Sequence, residues 1–283
     1  MASLRDLRRR IRSVANTQKI TKAMELVSAS KLRRAQERME SARPYAEELA
    51  GIMSELMRRT PEYRHPYLAV RPVQHRCLIL VTSDRGLVGA LNANSLRLAL
   101  QEMSAETPTA VVTIGRRGRD VMRRLRKPLI ADISNYGDRP TLADILPAVR
   151  VARQQFDEGL VDQIDLVYAR FVSVSRHDPV LQRVLPLEPP AEAPAVRSLF
   201  EYEPEARDVL DALLPRYVEA QVYRAVLENI ASEQAARIVA MHSASENATD
   251  LIESLTLTAN KVRQTTITTE LMEVVSGAGA LAG

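Results

Sequence analysis

Aromatic residues are scarce in this chain of 283 residues: they make up 4% of it, and tryptophan is missing. A sequence with so few large planar side chains suits long helices of Ala, Leu and Met better than a compact barrel. Cysteine is equally rare. Cys77 is the only one, which excludes an internal disulfide, and because it opens an apolar run typical of a strand we expect a buried, reduced thiol.

Long apolar runs are missing as well. The sequence has no window of 18 apolar residues that would span a membrane, and its N-terminus lacks the apolar core of a secretory signal. A heptad repeat that begins at Leu4 leaves no room for a removable leader. The sequence therefore predicts a soluble, intracellular protein without a membrane-spanning segment.

Motifs of catalysis and metal binding are also lacking. The four histidines are scattered without the spacing of metal ligands, and no GxGxxG or Walker A pattern occurs. The segment from Thr82 to Gly89 lies between a predicted strand and a predicted helix, where α/β sheets bind phosphates, but a structural turn needs the same glycines. We interpret it as a structural turn that can also face a partner, with nucleotide binding as the weaker alternative. We expect no cofactor and no metal.

The sequence does contain a seven-residue repeat at each end. From Leu4 to Leu56 one heptad phase continues without a break, and twelve of its sixteen core positions are apolar. A 3.5-residue repeat keeps one stripe of a helix facing one partner, so this run predicts a coiled-coil helix. Four consecutive core positions are polar, and there we expect the helix to face something other than its coiled-coil partner: Gln18, Thr21, Glu25 and Ser28.

A matching repeat runs from Leu213 to Val262, with twelve apolar core positions of fifteen. At a rise of about 1.5 Å per residue, each run would be roughly 75 to 80 Å long, too long for the interior of an ordinary domain. We therefore predict a long antiparallel coiled coil of the N- and C-terminal helices with a separate domain inserted between them. Residues 263–276 should extend beyond the coiled coil as a single helix.

Between the repeats, short apolar runs alternate with helical stretches. We predict strands at residues 77–82, 110–114, 129–134, 164–174 and 180–187, and helices at 91–103, 116–126 and 142–156. This alternation predicts an open, mainly parallel, Rossmann-like α/β domain whose last two strands form an antiparallel hairpin. The predicted domains are residues 1–59, the first coiled-coil helix; 73–195, the α/β foot domain; and 205–283, the second helix and its tip.

Positive charge is concentrated near the N-terminus, where residues 1–43 hold twelve basic and four acidic side chains. Three interpretations stay open: a solvated coiled-coil face, a surface for an acidic protein partner, or a nucleic-acid helix, since basic regions fork from coiled coils in some DNA-binding proteins. Near the other end, the β-branched run from Thr265 to Thr269 lies in a predicted helix, where such residues lose rotamer freedom. A local conflict of this kind often marks a contact surface.

Four blocks of the sequence resemble a known family. They are residues 20–32 (ITKAMELVSASKL), residues 83–92 (SDRGLVGALN), residues 231–241 (ASEQAARIVAM) and residues 267–270 (ITTE) with Glu273, Gly277 and Ala278. Their order and spacing are similar to those of the gamma subunit of rotary, F-type ATP synthases. The resemblance covers essentially the whole chain.

The resemblance implies a non-catalytic central-stalk rotor that transmits torque between the membrane c ring and the catalytic ring of alpha and beta subunits, in proton-driven ATP synthesis or hydrolysis. One copy would act in each complex, with the epsilon subunit at its foot, without nucleic acid and without membrane insertion. It would be peripheral, on the cytoplasmic face of the bacterial inner membrane. The alternative that the residues leave open is a basic coiled-coil adaptor or nucleic-acid-binding protein with an α/β head.

The resemblance also implies roles for individual residues. Those that would contact the beta subunits are Lys19, Lys22, Met24, Lys31, Arg33, Arg34, Arg263, Gln264, Thr268, Glu270 and Glu273. A bearing tip would include Gly277, Ala278 and Leu281. Tyr202 and Glu203 would lie at the foot, near the epsilon subunit and the c ring.

Overall fold

The structure is a computed structural model that describes residues 3–59, 65–103, 107–187 and 205–282. Its contacts divide the chain into two compact units. The first unit, the paired-helix unit, consists of residues 1–27 and 238–283, and the second, the sheet unit, of residues 28–237. Two long helices contribute to both units: α1 (Leu4–Arg59) and α5 (Ala206–Ala282).

In the paired-helix unit, α1 and α5 run antiparallel. Gln18 Nε2 donates to Thr249 Oγ1 at 2.7 Å, and His242 Nδ1 lies 3.5 Å from Glu25 Oε1. Seven residues forward along α1 thus correspond to seven residues back along α5, which is an antiparallel heptad register. Helix α1 begins at Leu4, where the heptad repeat begins, and Ser3 caps it: its hydroxyl accepts from the Asp6 amide at 3.2 Å and donates to the Asp6 carboxylate at 2.8 Å.

The predicted heptad phase is the buried stripe of both helices. Every core position from Leu4 to Leu56 is buried or half-buried, and so is every core position from Leu213 to Val262 except Arg224. Our expectation that the polar positions face something else was wrong, because Gln18 and Glu25 contact α5 and Thr21 is 8% exposed. The seam remains between the helices there and changes only from apolar to polar.

The sheet unit contains a five-stranded sheet in the order β3-β2-β1-β4-β5. The strands are β1 (Arg76–Val81), β2 (Thr109–Ile114), β3 (Leu129–Ile133), β4 (Gln163–Phe171) and β5 (His177–Leu185). The first four are parallel, joined through α2 (Leu91–Glu102), α3 (Arg116–Arg124) and α4 (Leu142–Asp157), and β5 returns antiparallel to β4. The predicted open, mainly parallel fold is therefore confirmed, including the final hairpin.

A parallel sheet that is covered on both faces requires strands that are almost entirely apolar, and these strands form the core. Leu78 and Leu80 of β1 pack with Ala99 of α2 and Met122 of α3 on one face. The intervening residues of β1 include Cys77, which is fully buried, and burial raises the pKa of its thiol to about 12. The expectation of a buried, reduced thiol is confirmed.

The hairpin differs from the prediction in one detail. We expected Pro179 in the turn, but β5 already begins at His177, and Pro179 pairs with Ala169 of β4. An edge strand accepts proline because one side of it has no neighbour that needs the missing N–H. The turn keeps the predicted length of five residues but lies three positions earlier, between Phe171 and His177.

Candidate contact surfaces and the crevice of the sheet

The candidate contact residues of α1 lie mainly on its outer face. Lys19, Lys22, Arg33 and Arg34 are exposed, and Met24 is half-buried. Several of these cations already have partners along the same helix, since Lys22 pairs with Glu25 at 3.1 Å and Arg33 with Glu37 at 3.3 Å. Next to them are exposed apolar side chains, Ile20 (60% exposed), Leu26 (63%) and Val27 (54%). This face of α1 is thus mixed cationic and apolar, which is typical of a protein contact surface.

Lys31 has a partner within the sheet unit. Its Nζ donates to Asp138 Oδ2 at 2.7 Å, and Arg38 donates to the Asp138 carbonyl at 3.1 Å. Burial raises the pKa of Asp138, but the hydrogen bond and charge of Lys31 outweigh it, so that the pKa lies below its ordinary value. Contact between Lys31 and the beta subunits stays a prediction, and such a contact would compete with this ion pair.

The C-terminal part of α5 extends past α1. Continuing the antiparallel register from Gln18 and Thr249 places Leu4, the first residue of α1, opposite Arg263. All residues from 263 to 276 are exposed, as expected for a single helix without a partner in the described part of the chain. We call this exposed segment, residues 263–276, the overhang. It contains five of the candidate residues: Arg263, Gln264, Thr268, Glu270 and Glu273.

The overhang is apolar as well as exposed. Its exposed apolar side chains include Ile267, Leu271, Met272, Val274 and Val275, with exposures from 49% to 69%. A contiguous apolar surface of this kind marks an interaction site.

The threonines of the overhang resolve the conflict between β-branched residues and a helix. Thr265, Thr266, Thr268 and Thr269 each donate a hydroxyl hydrogen bond to the carbonyl four residues earlier, at 2.9 to 3.1 Å. These bonds satisfy the polar side chains along the helix itself. The segment can therefore remain helical while it presents methyl groups outward.

The turn after β1 is held by bonds to its own neighbourhood. Asp84 Oδ1 accepts from the Arg116 amide at the N-terminus of α3 at 2.8 Å, and Asn92 bonds to both the amide and the hydroxyl of Ser83. Leu87 and Gly89 have positive φ, of 63° and 54°. These bonds tie the turn to α2 through Asn92 and to the first residue of α3 through Asp84. This geometry supports the structural turn over the nucleotide site.

Helix α5 fills the crevice between the carboxyl ends of β1 and β4. In open α/β sheets this position, where the strand order reverses, is the ligand-binding crevice. Here Ala236 of α5 packs with Val88, Leu91 and Ala169 in a buried apolar cluster. The chain therefore uses its own helix where related sheets hold a ligand.

Polar side chains of α5 bond to main-chain atoms on both sides of this crevice. Asn229 Oδ1 accepts from the Ala169 amide at 3.3 Å, and Ser232 donates to the Ala169 carbonyl at 2.9 Å. On the other side, Arg237 donates to the Gly86 carbonyl at 3.4 Å and to Glu233 at 2.6 Å. Burial raises the pKa of Glu233 although Arg237 opposes this shift.

Our sequence reasoning assigned no role to these α5 residues. Ser232, Glu233 and Arg237 belong to one of the blocks that carry the family resemblance, but a contact across 60 residues of chain leaves no local pattern. One signal was available. Residues 228–234 include five polar side chains in seven positions, too many for a helix with only one buried stripe.

Part of the candidate site falls beyond the described structure. Tyr202 and Glu203 lie outside the described residues. Gly277, Ala278 and Leu281 lie within α5, but their side chains are outside the described part.

No cluster of three or more His, Cys, Asp or Glu side chains has the arrangement of a metal site within residues 3–59, 65–103, 107–187 and 205–282. In the same ranges, no helix combines the length and the apolar character that crossing a membrane requires.

These features define the class of protein: an antiparallel helical pair with an inserted Rossmann-like domain, whose ligand crevice is filled and whose exposed surfaces suit contacts with other chains. The chain matches the ATP synthase family over residues 3–281. The ATP synthase gamma chain of Ralstonia nicotianae is 44% identical to it over 291 residues, covering 99% of this chain and 100% of that protein. That of Dehalococcoides mccartyi is 45% identical over 285 residues, covering 100% of both.

The chain belongs to the ATP synthase gamma chain family. It is a central-stalk rotor subunit and not an enzyme, as the resemblance implied, and the adaptor or nucleic-acid alternative is not favoured.

Solved structures show the same fold. A central stalk and c ring structure of the Tetrahymena thermophila mitochondrial ATP synthase contains a chain with a TM-score of 0.63 and 26% identity, covering 80% of this chain and 99% of that one. In the Euglena gracilis mitochondrial ATP synthase, a chain with a TM-score of 0.70 and 20% identity covers 98% of this chain and 94% of its own.

Proposed function

We propose that this chain transmits torque between the catalytic ring of alpha and beta subunits and the membrane c ring, with the epsilon subunit at its foot. Support for the c ring as a partner comes from the similar Tetrahymena chain, which belongs to a structure of the central stalk and c ring. Proton-driven rotation would turn the chain during ATP synthesis, and hydrolysis would turn it in reverse. Chemistry would take place in the other subunits.

The exposed overhang of α5 carries this proposal. Residues 264–276 have no described α1 residue opposite them, and the segment is helical, rich in apolar side chains and exposed. An isolated helix of this length is marginal in water, so burial against another protein is the expected use of its apolar face. The overhang would lie inside the ring, with Gly277, Ala278 and Leu281 in its bearing.

The mixed face of α1 suits a partner that changes as the rotor turns. Cations such as Lys19, Lys22 and Arg34 attract acidic loops over several ångströms without fixing one geometry, and surface ion pairs contribute little to affinity individually. We propose that these residues, with Met24, Lys31 and Arg33, contact the beta subunits during rotation.

The remaining assignments follow from the same proposal. The domains are the coiled-coil helix of residues 1–59, the α/β foot domain of 73–195, and the helix and tip of 205–283. Tyr202 and Glu203 would contact the epsilon subunit and the c ring. Because the relatives described above are bacterial proteins, we place the chain at the cytoplasmic face of the bacterial inner membrane, as a peripheral subunit.

Truncation tests the role of the overhang. A chain that ends at Val262 keeps the whole paired seam but lacks the overhang, so we expect the complete complex to assemble while proton pumping per ATP hydrolysed falls severalfold in vesicles. A chain that ends at Ser276 is the matched control and should show a smaller loss. Unchanged pumping in the shorter chain would contradict the assignment.

A further inference from the structure

We propose that Asn229 and Ser232 form a clamp on Ala169 through which torque passes between α5 and the α/β sheet. This inference rests on the proposed function, because it names the residues that would make the helix and the sheet turn together. The clamp consists of two hydrogen bonds, from the Ala169 amide to Asn229 Oδ1 and from Ser232 Oγ to the Ala169 carbonyl.

The clamp completes the hydrogen bonding of β4 where that strand extends beyond the end of β1. The last pair between β1 and β4 is Leu80 with Val167, and β1 itself ends at Val81. Ala169, two residues further along β4, therefore presents its amide and carbonyl where a continued β1 would have been. Buried main-chain groups need partners, and Asn229 and Ser232, three residues apart on one face of α5, supply one acceptor and one donor.

Burial and side-chain length make the clamp stiff. Asn229 is 1% exposed, Ser232 is 0% exposed and Ala169 is 1% exposed. Both clamp side chains are short and bond directly to the main chain of a strand in the sheet. Other links between α5 and the domain are made by longer side chains, as between Arg153 and Glu219 or between Gln182 and Gln221. Long side chains retain rotamer freedom that lets the two elements slip.

In the described part of the chain, the side-chain amide of Asn229 has one unbonded atom, Nδ2, which indicates that Oδ1 is the atom that the clamp requires. Within the described residues, Asn229 Nδ2 is buried and has no hydrogen-bond partner. A buried unsatisfied donor destabilises the folded chain, so an amide at this position carries a penalty that a shorter apolar residue would not. The acceptor Oδ1, which bonds to the Ala169 amide, is the group that offsets it.

The clamp can be tested by the torsional stiffness of the complete rotary complex. A bead is attached either to the sheet, through Ser175→Cys in the exposed hairpin, or to α5, through Ala212→Cys. The natural Cys77 is buried and does not compete for the label. With the catalytic ring fixed to a surface, the angular variance of each bead is measured in the wild type and in the double variant Asn229→Ala/Ser232→Ala.

The bead on the sheet should show a roughly twofold larger variance in the double variant, because both hydrogen bonds from α5 side chains to the main chain of Ala169 are removed. The bead on α5 should be unaffected. Gln182→Ala is the matched control, since it removes a side-chain link between the same elements and should leave both beads unchanged. Asn229→Ala and Ser232→Ala alone should each raise the variance by part of this amount. If the double variant does not assemble into the complex, the two single variants provide the test.

The outcomes separate the clamp from the proposed function. An unchanged variance at Ser175, or an equal rise at both beads, would overturn the clamp while ATP-driven rotation of the beads still supported a rotor. If neither bead turned during ATP hydrolysis in the wild type, the torque-transmitting function itself would be contradicted.

Discussion

Gly115 shows how a single residue sets the geometry of the crevice. Its φ is 115°, a backbone conformation that side chains with a Cβ rarely adopt, and a Cβ there would overlap the carbonyl and hydroxyl of Thr82. Both Thr82 groups are in use, since the hydroxyl accepts from the Gly118 amide and the carbonyl accepts from Tyr136. The absence of a side chain at Gly115 lets β1 and α3 meet closely at the edge that α5 covers.

Two glycine substitutions separate crowding from backbone strain. Gly115→Ala should lower the free energy of unfolding by more than about 3 kcal/mol, because it adds a clash with main chain to an unfavourable φ. Gly159→Ala, at φ 71° with open space around its Cβ, should cost only about 1–2 kcal/mol. Urea unfolding of the purified chains measures both, and equal losses would show that crowding at Thr82 is unimportant.

At the scale of elements, α1 combines a buried stripe with an exposed apolar face. Leu56, a heptad core position, is 0% exposed, whereas Leu26, off the stripe, is 63% exposed. The same residue type therefore has two uses on one helix. Burial of the first stabilises the chain, and the second has a free surface for another protein.

Truncating each leucine distinguishes these uses. Leu56→Ala should destabilise the purified chain by about 2–5 kcal/mol, because it leaves a cavity in a packed seam. Leu26→Ala should change the free energy of unfolding by less than about 0.5 kcal/mol. Thermal or urea unfolding of the two variants provides the comparison. A large loss for Leu26→Ala would mean that this face is already packed within the chain.

At the scale of the whole molecule, positive charge is distributed unevenly along the chain. The formal net charge is +4, yet residues 1–43 alone carry an excess of eight positive charges, all on α1 where the structure describes them. Charge of one sign on a contact surface mainly accelerates encounter with an oppositely charged partner and makes it sensitive to salt. This distribution suits the proposed contact of α1 with acidic loops.

Charge reversal on α1 tests that contact. The double variant Lys19→Glu/Arg33→Glu should bind the catalytic alpha/beta ring about tenfold more slowly at low salt, and its association rate should depend less on ionic strength. Arg97→Glu/Arg124→Glu is the matched control, because it changes the net charge equally but on exposed positions of α2 and α3. Stopped-flow association rates measure both, and equal slowing would attribute the effect to net charge alone.

Local patterns in the sequence account for the helices and strands of this protein. A heptad phase and a short apolar run depend on neighbouring residues, so the paired helices, the mainly parallel sheet and the overhang of α5 were all predictable. Which distant groups meet depends on how the helices and strands pack. This packing keeps the polar seam of Gln18 and Glu25 against α5, pairs Lys31 with Asp138, and fills the crevice with α5. Each depends on contacts between residues about 60 or more positions apart, which local periodicity does not encode.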